Sequence, residues 1–160
     1  VTWWPMASAN GGKLPQANKG QTPTFLIAAL KDPGGANLDH IQIIKGWLDS
    51  SGLTQEKIFN VKWSGNRKMD PEGKLLPVGN TVNLETAEYT NTIGSPQLIR
   101  VFKDPSFNSK ERAVYYLRAL EIPTPRWTLY DKVRFGIEMD EEVPLIQQGR
   151  AFSSPIWYSP

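Results

Sequence analysis

The chain has 160 residues, enough for a single domain whose core removes roughly 70% of the unfolded surface from water. Its 18 Lys and Arg against 16 Asp and Glu give a formal charge of +2, and the basic residues are scattered, so nucleic acid is not an implied partner. Cysteine is absent, which excludes disulfides, thiolate metal sites and a cysteine nucleophile, and no apolar run approaches the roughly 20 residues that cross a bilayer.

Residues 1–23 are rich in Gly, Ala, Asn, Pro and Gln and read as an N-terminal arm or linker, with 24–160 as one domain. The Val start is expected of a processed protein or a fragment. Short β-like runs follow: TFLIAAL (24–30), HIQIIKGWL (40–48), KIFNVKW (57–63), TVNLETAEYT (81–90), LIRVF (98–102), AVYYLRALEI (113–122) and PIWY (155–158). Their spacing predicts an all-β fold, an antiparallel β-sandwich of roughly seven to nine strands. In the third run Phe59, Val61 and Trp63 alternate with Asn60 and Lys62, so one face should be buried. AVYYLRALEI lacks clean alternation and is expected to be a central strand covered on both faces.

The separators Asp32-Pro33-Gly34-Gly35 and Asp70-Pro71-Glu72-Gly73 read as turns, because proline fixes φ and glycine closes the reversal. One or two short helices are expected. Ser106 to Arg112 suits a single turn, and Thr128 can cap a second helix that Gly136 stops. Between them "EIPTPRWTLYD" (121–131) should form a corner: two prolines, lacking N–H donors, end the ladder after Ile122.

Chemistry is sparse. A Ser-His-Asp arrangement must use the single histidine, His40, with Asp39 beside it, and a strand-edge histidine bonded to backbone is the preferred reading. One histidine without cysteine does not build a typical zinc site, no D-x-D-x-D-G calcium loop occurs, and both nucleotide-binding glycine motifs are missing. The acidic run 138–142 reads as a solvated loop. Six tryptophans remain, of which Trp47, Trp63 and Trp157 are assigned to the core; exposed aromatics would instead suit a carbohydrate-binding module. Arg126 and Trp127 are the prominent pair, with Arg126 able to stack on a ring or grip Asp131.

The motifs "LDHIQIIKGWLD" (38–49), "VKWSGNRK" (61–68), "VGNTVNLETAEYTNTIGSPQL" (78–98), "YYLRALEIPTPRWTLYDKVRFG" (115–136) and "SSPIWYSP" (153–160) together resemble the C-terminal part of a large bacterial family of often exported proteins. The N-terminal part of that family resembles PHP-type (polymerase and histidinol phosphatase) metal-dependent phosphoesterases. The resemblance implies a non-catalytic C-terminal accessory domain, not itself an enzyme, that packs on the catalytic barrel of the same parent protein and shapes its substrate cleft. It implies divalent metals in the missing barrel, no cofactor in this chain, and an exported or periplasmic location. Arg126, Trp127, Tyr130 and Asp131 are the residues expected at the domain interface or a binding site. The competing reading is an independent lectin-like module with a glycan ligand.

Overall fold

A computed structural model describes residues 11–18 and 20–160 of the chain, and Trp3 and Trp4 lie outside them. The elements run β1 (Thr24–Leu30), β2 (Leu38–Leu48), β3 (Thr54–Trp63), β4 (Gln97–Lys103), β5 (Ala113–Pro125), α1 (Trp127–Phe135), β6 (Ile146–Phe152) and β7 (Ile156–Tyr158). They form two antiparallel sheets. One is the pair β1-β4; the other runs β3-β2-β5, with β6 and β7 sharing the far edge of β5. The architecture is sandwich-like and not a closed barrel.

The core lies between the sheets. Alternation along β1 turns Phe25 and Ile27 inward, where they meet Ile41 and Ile43 of β2, Leu98 of β4 and Tyr115 of β5. The Phe25 and Tyr115 rings are 5.0 Å apart, and Phe59 reaches Phe102 at 5.1 Å, tying β3 to β4. Leu14, from the segment read as an arm, is buried in the same core, with its N–H on Trp157 O at 2.7 Å.

A charged group sits inside this apolar layer. Lys45 and Asp104 are 2% and 0% exposed at their side chains, with Nζ 2.7 Å from Oδ2. Lys45 also donates to Ser106 O, and Tyr115 Oη donates to Asp104 at 2.8 Å. Burial pulls the Asp104 carboxyl upward, but Lys45, the Ser106 N–H and the Tyr115 hydroxyl outweigh it and hold it below the ordinary carboxylate value. Burial, then the Asp104 charge, pushes the Tyr115 phenol up.

Four local expectations need correction. TVNLETAEYT is not a strand: Asn80 Oδ1 accepts the Val82 N–H and Asn83 Oδ1 those of Glu85 and Thr86, so side chains capture donors that a ladder would need. Residues 106–112 form turns, leaving one helix. The ladder does not stop after Ile122. It runs on to Pro125 by pairing with β6, Arg126 N–H then donating to Leu145 O. Strand alternation turns the proline nitrogens toward the opposite edge, which β2 has left at Leu38. Finally, β5 is central as expected, but its outward face is only partly covered, leaving Arg118 half-buried.

Candidate functional site

The corner 126–131 was the sequence's leading candidate. Arg126, not Thr128, is the N-cap residue of α1, in extended conformation and without a side-chain cap bond. Thr128 is buried and its hydroxyl donates to Pro144 O at 2.7 Å, fastening the helix to the chain before β6. Gly136 ends the helix in the left-handed region (φ 64°), its N–H on Lys132 O. Trp127 is 61% exposed and Tyr130 is exposed, while Arg126 and Asp131 are half-buried. No ion pair joins Arg126 to Asp131 among the described residues, and the cation nearest the Tyr130 ring is Arg134 at 5.8 Å. The four residues thus share one end of the sheet without a mutual polar network.

Trp157, assigned to the core from sequence, is 51% exposed. It pairs with Val114, at the far end of β5 from Trp127. The eleven residue-to-residue steps from Val114 to Pro125 span roughly 35 Å at about 3.3 Å each, so these two indoles do not make one platform. Trp47 and Trp63 are half-buried, Trp63 Nε1 donating to Arg67 O at 2.8 Å.

A denser arrangement surrounds Asp39 and His40. Neighbouring residues on a regular strand point to opposite faces, yet His40 Nδ1 lies 2.9 Å from Asp39 Oδ2. A register shift between Leu38 and His40 leaves Asp39 out of the ladder with β5, and this bulge re-aims the carboxylate. Asp39 Oδ1 accepts from Arg67 Nη2 at 2.6 Å and Oδ2 from Gln148 Nε2 at 3.1 Å. Burial raises the Asp39 carboxyl, but contacts with His40 and the Arg67 guanidinium outweigh burial and leave it below the ordinary value. His40 Nδ1 is buried and has no hydrogen-bond partner among the described residues, so its approach to that carboxylate is a close contact without hydrogen-bond geometry.

Arg67 ties this knot to the loop 64–76. Its Nε donates to Ser64 O, Nη1 to Leu76 O and Nη2 also to Asp39 O. The loop, closed by the Asp70 to Gly73 turn, thereby forms a wall above the outward face of the larger sheet. Between wall and sheet lies a cleft of about 300 Å³, lined among others by His40, Gln42, Arg67, Lys74, Arg118 and Arg150. Among the described residues no hydroxyl or thiol side chain lines it; the Ser64 hydroxyl, in the same knot, accepts from Arg67 Nη2 at 3.3 Å. No group of three or more His, Asp or Glu among the described residues could hold a metal ion.

Sequence reasoning singled out His40 and Asp39 and passed over Arg67, Lys74, Arg118 and Arg150. One signal was available: Arg118 interrupts an apolar central run, and a charge there marks a face open to water.

A third feature is apolar. The outward face of the β1-β4 sheet carries Leu26 (76% exposed), Leu30 (73%), Ile99 and Val101. Leu26 stands opposite Val101, and Ala28 opposite Ile99, so these side chains are direct cross-strand neighbours on one surface. No helix among the described residues is long and apolar enough to cross a membrane.

The chain belongs to DUF3604, a family of proteins of unknown function, whose family model matches residues 5–160. No curated protein and no solved structure is significantly similar to it.

Proposed function

We propose that this chain is a non-catalytic C-terminal accessory domain that packs on the catalytic barrel of a PHP-like metal-dependent hydrolase, its own parent protein, and shapes one wall of the substrate cleft. The carrying observation is the exposed apolar face Leu26, Ala28, Leu30, Ile99 and Val101. A small sheet gains nothing by presenting leucine and isoleucine to water, and a contiguous surface of this kind marks a place where another protein layer sits. Burying each large side chain contributes roughly 1.5–3 kcal/mol, enough in sum to couple two domains. The divalent metals and the hydrolytic chemistry belong to the barrel in this reading, and Arg126 and Trp127 extend the contact from the end of β5. The barrel as occupant, and an exported or periplasmic location, come from the sequence resemblance to the PHP-type proteins.

Calorimetry of the parent protein tests the coupling. The domain should melt at a higher temperature within the parent than as the isolated chain. The double substitution Leu26→Lys and Val101→Lys should bring it down to the isolated chain's value. Both side chains are exposed, so the isolated chain's own stability should change by only about 0.5 kcal/mol. An identical melting temperature in parent and isolated chain would remove the reading.

A further inference from the structure

The cleft beneath the loop 64–76 has a composition that no docking role requires. Across its floor runs a row of residues in register, Asn60 of β3, Gln42 of β2 and Arg118 of β5. They are wired in one direction: Arg118 Nε donates to Gln42 Oε1 at 2.8 Å, and Gln42 Nε2 donates to Asn60 Oδ1 at 2.8 Å. This relay fixes the plane of the Arg118 guanidinium by its Nε edge and leaves both Nη groups without a hydrogen-bond partner among the described residues.

A second row lies beside the first. His40 pairs with Leu120, and Leu120 with Arg150 of β6, which places Arg150 diagonal to Arg118 on the same face. Lys74 enters from the loop wall, held over the floor by the bonds of Arg67 to Ser64, Leu76 and Asp39. Of the four formal cations lining the cleft, only Arg67 is in an ion pair. Lys74, Arg118 and Arg150 have no carboxylate partner among the described residues, and no acidic side chain lines the cleft.

Cations of one sign converging in a recess repel one another and focus a positive potential there. Hydrogen bonds orient Arg118 through Gln42 and Asn60 and fix the loop through Arg67, the preorganisation an anion site needs. The donors come from two sides: Arg118 and Arg150 from the sheet and Lys74 from the loop wall. That geometry matches a tetrahedral group better than a planar carboxylate. The volume of about 300 Å³ is at the small end of ligand pockets, room for the anion and a modest organic residue.

We propose that the cleft between the outward face of the β3-β2-β5-β6 sheet and the loop 64–76 binds a tetrahedral oxyanion, a phosphoryl or sulfuryl group carried by a small ester, through Arg118, Arg150 and Lys74. Gln42 and Asn60 are positioning residues that orient Arg118. The site is on a different sheet from the apolar docking face, so the two proposals stand or fall separately.

The test is calorimetric titration of the full chain with inorganic phosphate, and separately with inorganic sulfate, at constant ionic strength maintained with chloride. Saturable binding is expected, weakened at least tenfold in Arg118→Gln and in Arg150→Gln, and unchanged in Lys132→Gln, which removes an equal charge from exposed α1. Gln42→Leu leaves every cation present and should weaken binding by a smaller factor. Tighter binding of phosphate would assign a phosphoryl ligand, and tighter binding of sulfate a sulfuryl one. Absence of saturable binding, or an equal loss in Lys132→Gln, would overturn the site. Should Arg118→Gln unfold, Arg150→Gln and Lys74→Gln carry the decision, and undiminished binding in both would refute the assignment.

Discussion

Two aspartates carry the buried electrostatics of this chain. Asp104 neutralises Lys45 inside the core, and Asp39 holds the loop 64–76 through Arg67. Each carboxyl is held below its ordinary value in the folded state, against an unfolded value near 3.9. On acidification the unfolded chain therefore takes up these protons first. Stability from the two groups is complete above the ordinary carboxylate range and is lost as pH falls through the lower native values. Urea unfolding followed from pH 7 to pH 2.5 should show the midpoint dropping below about pH 4. Asp39→Asn, which keeps an acceptor for Arg67, should give a shallower acid limb, and an acid limb parallel to that of the parent sequence would contradict the assignment. At this scale the sequence displayed the adjacency of Asp39 and His40 but not their contact. That contact depends on a bulge, and nothing in Leu38-Asp39-His40 distinguishes a bulged strand from a regular one.

The elements are held in place by loops as much as by ladders. The long connection from β3 to β4 is anchored by Asn37, whose N–H donates to Asn91 Oδ1 and whose Nδ2 donates to Asn91 O and Ile93 O. Gly94 then passes so close to β2 and β5 that a Cβ there would lie 2.6 Å from Asn37 Cβ and 2.7 Å from Ile122 Cγ2, with φ at +79°. Gly94→Ala should therefore destabilise by about 2–6 kcal/mol, the sum of left-handed strain and overpacking. Gly73→Ala, at φ +81° with nothing within 4 Å, should lose only about 1 kcal/mol. Equal losses in equilibrium unfolding would show that close approach is not what Gly94 serves. The strands with apolar runs were legible: the expectations over 24–30, 40–48, 57–63, 98–102, 113–122 and 155–158 each meet a strand. The strand Ile146–Phe152 was not, because IQQGRAF lies on the sheet's edge, mostly exposed, with a glycine and no β-branched period. The false strand at 81–90 fails for the converse reason: Val82 and Leu84 alternate with polar residues, but Asn80 and Asn83 bind the backbone just after them.

At the level of the whole molecule, two sheets enclose one core and leave two unlike outer surfaces. The smaller sheet shows a face that is apolar at its centre and ends in Gln97 and Lys103, and the larger shows a cationic cleft. That division suits a domain that docks through one side and presents charge from the other. The spacing of apolar runs made the sandwich readable, since inward residues repeat every second position. The faces were not, because an outward Leu26 and an inward Phe25 are both simply apolar in a list of residues. The measurement that bears most directly on the accessory-domain account is hydroxyl-radical footprinting of the parent protein beside the isolated chain. Labelling of Leu26, Leu30, Ile99 and Val101 should be strong in the isolated chain and fall several-fold in the parent, while exposed Leu53, away from the docking face, stays unchanged. Equal labelling of the four residues in both proteins would mean that no domain covers the β1-β4 face, and the account would be wrong.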